Sequence, residues 1–189
     1  MTAGVVLAGG ASRRMGTDKA LLEVEGVALA ARVAAVLRAG GCADVHLVGP
    51  QAGLGALGWP VLPEDDGGPR HPLRGVVLAL RHFAPRPVLF SPCDQVAIEA
   101  EDIRVLLAHG GPVVAEAAGT VQPLVALLHA EQLAEARSLL AAGGPARALT
   151  QHLPRVQLPA RAAVNLNRRG DLEAWLDRGR YTPTGGKHV

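Results

Sequence analysis

Between two apolar runs near its start the chain carries "LAGGASRRMGTDKALL", Leu7 to Leu22, a stretch with three glycines, two adjacent arginines and one lysine. Gly9, Gly10 and Gly16 let the backbone take positive φ and come close to a ligand, and successive N–H groups in such a loop converge on one anion. Arg13, Arg14 and Lys19 add fixed positive charge that an ordinary turn does not need and that repels itself without a target. The pattern suits a polyphosphate. It is not a P-loop, because Thr17 and Asp18 separate Gly16 from Lys19 where that motif needs Gly-Lys-Ser/Thr, and G-x-G-x-x-G is absent too. Of 19 basic residues only Lys19 and Lys187 are lysines, so a compact ammonium here stands out against general arginine usage. Spacing alone also allows a solvated loop between a strand and a helix.

The acidic positions complement that cradle. In "FSPCDQ", Asp94 follows the apolar run "VLF" at the expected carboxyl edge of a strand. A carboxylate there can hold Mg²⁺, a hard cation that keeps several waters and bridges to phosphate oxygens. A lone aspartate after a strand also serves as a turn or cap residue. "LPEDDGGPRHPLRG" (62–75) places Glu64, Asp65 and Asp66 before a Gly/Pro loop, which by itself reads as a solvated turn. In "NLNRRGDL" (165–172), Asn165 and Asn167 can donate and accept hydrogen bonds at a ligand, or simply cap a helix.

These residues need a scaffold. With 189 residues and 49% hydrophobic content, the chain fits one well-buried domain. Short β-rich runs at 4–8, 44–49, 86–91 and 112–116 alternate with helical stretches at 27–41, 72–83 and 130–144, the pattern of βαβ units around a parallel sheet. In such a sheet ligands bind beyond the carboxyl ends of the strands, and several of the polar groups above follow a strand. A net charge of +2 with scattered basic residues and 3% aromatics argues against a general nucleic-acid binder. Cys42 and Cys93 have no metal-ligand spacing and read as ordinary buried thiols of a reducing compartment. No apolar run approaches the roughly 20 residues that span a bilayer, and the start has no leader pattern, so the expected location is cytoplasmic.

The segment "LAGG-x-S-x-RMG-x-DKALL" resembles the signature of the MobA-type nucleotidyltransferases, the molybdenum cofactor guanylyltransferase family. Further segments resemble the same family in the same order: the 62–75 stretch, "PCD" (92–94), "QPLVALL" (122–128) and "NLNRRGDL". The resemblance covers residues 5 to about 178. It implies an α/β fold: a single Rossmann-like nucleotidyltransferase domain over 1–178, with a mostly parallel central sheet, helices on both faces and a flexible tail at 179–189. The N-terminal half would bind nucleotide and the C-terminal half the acceptor. It further implies transfer of GMP from GTP to the phosphate of molybdopterin, assisted by Mg²⁺, with contacts to proteins that deliver or complete the cofactor.

Carried over residue by residue, the resemblance puts Leu7, Ala8, Gly9 and Gly10 at the nucleotide, with Lys19 and Arg14 on its phosphates. Asp94 becomes the metal ligand. Asp65 becomes a nucleotide contact with Asp66 as its alternate, and Gln122, Asn165 and Asn167 lie on the acceptor side. The chain departs from the family at four places: His71 replaces a glycine, Arg74 a small residue and Arg168 a threonine, while Gly49 stands where asparagine is frequent in the nucleotide pocket. Base selection then has to rest on backbone groups or on another side chain. A relative using CTP or a sugar-phosphate acceptor, and a catalytically silent nucleotide-binding regulator, are the competing readings.

Overall fold

A computed structural model describes residues 1–9, 19–64, 71–166 and 171. Its strands are β1 (Ala3–Leu7), β2 (Glu23–Val24), β3 (Val27–Ala28), β4 (Asp44–Gly49), β5 (Val61–Pro63), β6 (Val88–Pro92), β7 (Val113–Ala117), β8 (Thr120–Leu128) and β9 (Arg155–Leu158). The helices are α1 (Leu29–Ala39), a short α2 (Gln51–Leu54), α3 (Pro72–Phe83), α4 (Ala100–Ala108), α5 (Leu133–Ala141) and α6 (Ala146–Thr150). Seven strands form one sheet in the order β5-β4-β1-β6-β8-β7-β9. β1 pairs in parallel with β4 and β6, β4 with β5, and β7 with β9. Only β8 runs against its neighbours β6 and β7. The sheet is therefore mostly parallel, as the alternating strand and helix pattern implies.

Period-two burial along the strands explains why helices cover both faces. Leu47, Leu89, Val113, Val125 and Leu127 pack into one apolar cluster with α1 and α4 residues such as Val33, Leu37 and Ile103. Their immediate neighbours Val48, Phe90, Val114, Ala126 and Leu128 pack into a second cluster with Leu73, Val76 and Leu80 of α3, Ala136 of α5 and Leu149 of α6. Strands buried on both sides cannot alternate polar with apolar, so they appear in the sequence as continuous aliphatic runs. Both cysteines are buried, and burial pushes the Cys42 thiol up to about 12.

Helix α1 starts at Leu29, two residues later than the sequence periodicity suggests. Val24 and Val27 pair across the small β2-β3 ribbon instead. Glu25 and Gly26 form its two-residue turn at φ 53° and 76°, the positive values a tight hairpin of this type demands. At α3 the start is fixed locally: Pro72 is the first residue and the Leu73 N–H donates to His71 Nδ1 at 3.2 Å.

One charged cluster ties the end of the described chain to α4. Arg161, on a 3-10 turn, donates to both carboxylate oxygens of Asp102 and to the Ala97 carbonyl, and pairs with Glu99 at 2.9 Å. The Asp102 side chain is 3% exposed, and its carboxylate also accepts from the Glu99 N–H at 2.9 Å. The hydrogen bond from Arg161 to Asp102, together with the surrounding carboxylates, holds the guanidinium pKa above its usual value. Removing one partner strands a buried charge, so Arg161→Met is expected to lower unfolding free energy by about 2–3 kcal/mol, less than a fully buried pair would lose because Arg161 is partly solvated. Urea unfolding of the two proteins measures it, and a shift under about 0.5 kcal/mol contradicts it, being the usual range of an ordinary surface substitution.

Candidate active site

The strand order turns back at β1, which has β4 on one side and β6 on the other, and this is the switch point where an open α/β sheet forms its crevice. Three backbone hydrogen bonds gather the loops there. Ala8 N donates to Val48 O at 2.7 Å, Cys93 N to Leu7 O at 3.1 Å, and Glu64 N to Gly49 O at 3.1 Å. Leu7, Ala8, Gly9, Glu64 and Asp94 thereby meet at one end of the sheet although they are far apart in sequence.

They line a cavity of about 260 Å³ together with Lys19 and His71. Lys19 is only 9% exposed, and its Nζ donates to Asp94 Oδ2 at 2.7 Å. The cradle's single lysine and its strand-end aspartate are therefore in direct contact. A Cβ on Gly9 would meet the end of the Glu64 carboxylate, which would have to swing aside. At Gly49 a Cβ would sit 3.1 Å from Gly9 N and from the Ala8 carbonyl carbon, so the backbone of the glycine-rich segment packs tightly against this position. Gly9→Ala is expected to displace Glu64 and weaken nucleotide binding by about 10-fold, the worth of one hydrogen bond to that carboxylate. Calorimetry checks this; unchanged affinity would mean that neither Gly9 nor Glu64 contacts the ligand.

A second cavity, of about 250 Å³, also borders Asp94 and is lined by Gln95, Gln122 and Asn165 among others. Leu166 N donates to Asp94 O at 3.2 Å, which brings the asparagine segment against the strand-end aspartate. Asp94, Pro92 and Leu124 border both cavities.

Of the residues expected from sequence, the structure brings Leu7, Ala8, Gly9, Lys19 and Asp94 into the first cavity and Gln122 and Asn165 into the second. Gly10, Arg14, Asp65 and Asn167 lie outside the described residues, as do Arg13 and Asp66. Glu64 was missed: in sequence it is one of three adjacent acids, yet it lines the first cavity. The available signal was its place, one residue past the apolar strand "VLP", where Asp94 stands two past β6. Among the described residues no group of three or more His, Cys, Asp or Glu could cage a metal. The Asp94 carboxylate beside Lys19 and Gly9 instead suits a hard cation that takes most of its ligands from phosphate and water. No helix among the described residues is long and apolar enough to cross a membrane.

Comparison with known proteins agrees with this geometry. Residues 4–156 match the MobA-like NTP transferase domain family. A probable molybdenum cofactor guanylyltransferase of Deinococcus radiodurans is 36% identical over 183 residues, covering 92% of this chain and 93% of that protein. A molybdenum cofactor guanylyltransferase of Rhizobium meliloti is 30% identical, covering 91% of this chain and 90% of that protein. Among solved structures, molybdopterin-guanine dinucleotide biosynthesis protein A from Archaeoglobus fulgidus superposes with a TM-score of 0.75 over 95% of this chain and 99% of that one, at 19% identity, a likeness of fold. The chain belongs to the MobA-like NTP transferase domain family.

Proposed function

We propose that the protein transfers the guanylyl group of GTP to the terminal phosphate of molybdopterin, forming molybdopterin guanine dinucleotide and releasing pyrophosphate. The observation that carries this reading is the place of Asp94, on the wall shared by a cavity bearing Gly9 and Lys19 and a cavity bearing Gln122 and Asn165. Two substrates seated in these cavities would meet at that carboxylate. The guanylyltransferase names of the relatives from Deinococcus and Rhizobium support the choice of substrates.

In the reaction an acceptor phosphate oxygen forms a bond to the α-phosphorus of GTP, and the bond from that phosphorus to the bridging oxygen of pyrophosphate breaks. The acceptor oxygen is anionic at neutral pH, so no strong general base is required, and catalysis rests on positioning and charge neutralisation. The family of nucleotidyltransferases generally depends on a divalent metal, and Mg²⁺ held at Asp94 would neutralise phosphate charge and polarise the α-phosphorus. Lys19 offsets the charge that builds on the departing pyrophosphate. Its ion pair with Asp94 has to open for this, which would leave the carboxylate able to hold a cation and the ammonium able to reach the nucleotide phosphates. Arg14 and Gly10 extend the phosphate cradle. Leu7, Ala8 and Gly9 offer backbone groups to the base, and Glu64, beside the expected contact Asp65, supplies an acceptor on that side. Gln122, Asn165 and Asn167 serve the acceptor. The setting is the cytoplasm, where proteins that deliver or complete the cofactor would collect the product.

Guanine presents N1–H and a 2-amino group as donors, which a carboxylate at Glu64 can accept, whereas adenine and cytosine each lack that donor pair. GTP is therefore expected to bind at least about 10-fold tighter than ATP or CTP, the worth of one charge-assisted hydrogen bond left unmade. Titration calorimetry with the three nucleotides tests it. Equal affinities would overturn the guanine assignment, and tight GTP binding without turnover would mark a silent regulator.

A further inference from the structure

Beside Asp94 three side-chain amides form a connected group. Gln95 Nε2 donates to Gln122 Oε1 at 3.1 Å, Asn165 Nδ2 donates to the same oxygen at 3.4 Å, and Gln122 Nε2 donates to the Thr120 carbonyl at 3.3 Å. The last bond sets the direction of all three. A backbone carbonyl only accepts, so Gln122 must turn its NH₂ to Thr120 and its oxygen to the other two amides. Gln95 and Asn165 must then each spend an N–H on that oxygen, which leaves their own carbonyl oxygens turned away from it.

Those two oxygens are buried and have no hydrogen-bond partner among the described residues. Gln95 is 2% exposed. A buried carbonyl without a donor is costly, so a fold that retains two of them carries a cost that an incoming donor would relieve. Gln95 follows Asp94 directly, its backbone N–H donates to Pro92 O at 3.3 Å, and all three amides line the second cavity. The cluster therefore keeps two carbonyl acceptors without a donor next to the carboxylate where transfer is placed.

We propose that Gln95, acting with Asn165 through the Gln122 hub, selects the acceptor by receiving hydrogen bonds from an N–H-rich edge, such as the ring N–H and 2-amino group of a 2-aminopyrimidinone. A pterin has that edge, so this inference rests on the acceptor-site reading above and names what the site would grip. An acceptor with only hydroxyl and carbonyl groups matches it less well, because a hydroxyl brings one donor where the edge of a pterin brings two or three.

The test uses two fluorescent probes, 6-hydroxymethylpterin monophosphate and its analogue with hydrogen in place of the 2-amino group. The unaltered protein is expected to bind the amino probe about 10-fold tighter, the loss of one hydrogen bond to a buried carbonyl. Gln95→Met keeps the side-chain length and removes the carbonyl. Its preference is expected to fall below about 3-fold while GTP affinity stays unchanged and thermal stability does not drop, since an unpaired buried carbonyl has been removed with it. A preference kept intact in Gln95→Met overturns the role of Gln95, and an early melt with intact preference shows a purely structural side chain. Equal binding of the two probes by the unaltered protein overturns the proposal by itself and leaves guanylyl transfer standing. Binding of GTP with neither probe bound overturns it together with the choice of acceptor.

Discussion

Asp94→Asn is expected to lower turnover by at least about 100-fold while the protein remains folded. The variant keeps the shape and one carbonyl oxygen of the side chain but loses the negative charge that a divalent cation needs. Removing a preorganised charge from a reacting phosphate site typically costs about 10² or more in kcat. The structure adds a second consequence. Lys19 Nζ sits 2.7 Å from Asp94 Oδ2, and the lysine is 9% exposed, so the Asn variant leaves an ammonium with a neutral partner. A loss of about 1–2 kcal/mol is expected without ligand, below the cost of a fully buried pair because the site opens on a cavity that admits water. Turnover against metal concentration, beside thermal melts of both proteins without metal, separates the effects. If Asp94 were only a turn residue, asparagine would replace it almost without effect, because the two residues cap and turn about equally well. Turnover like that of the unaltered protein at limiting metal would remove Asp94 from the mechanism.

Lys19→Ala is expected to reduce kcat by about 100-fold or more, because its charge matters most as pyrophosphate leaves. A raised KM with unchanged kcat would instead mark an interaction made equally in the ground and transition states. The ion pair with Asp94 provides an independent readout. With Lys19 gone, nothing in that contact competes with a cation for Asp94 Oδ2, so Mn²⁺ or Mg²⁺ should bind more tightly to the nucleotide-free variant than to the unaltered protein. Lys19→Arg should be impaired as well, since a planar fork does not reproduce a compact point charge.

Much of the fold was legible because its signals are local. The aliphatic runs of β1, β4, β6 and β7 are continuous since both faces of these strands are covered, and α3 announces its start with Pro72. The elements that were not legible depend on tertiary contact. β9 has four residues and is held by pairing with β7, while the two-residue strands β2 and β3 displace the expected start of α1 through a turn at Glu25 and Gly26. At the site, Lys19 and Asp94 carried their chemistry in residue type and strand-end position. Glu64 did not, because three consecutive acids look like solvated surface until the fold brings Glu64 to Gly9. Gln95 was silent for a different reason. A single glutamine has no spacing signal, and its meaning comes from Gln122 and Asn165, which are distant in sequence and brought to it by β8 and the 165–166 segment.

Mass analysis of the products formed from molybdopterin, an equimolar mixture of GTP, CTP and ATP, and Mg²⁺ tests guanylyl transfer most directly. Molybdopterin guanine dinucleotide should accumulate as the dominant dinucleotide, with one pyrophosphate released per molecule formed. Pyrophosphate release with no pterin-containing dinucleotide, or a cytosine dinucleotide formed as fast as the guanine one, would contradict the assignment.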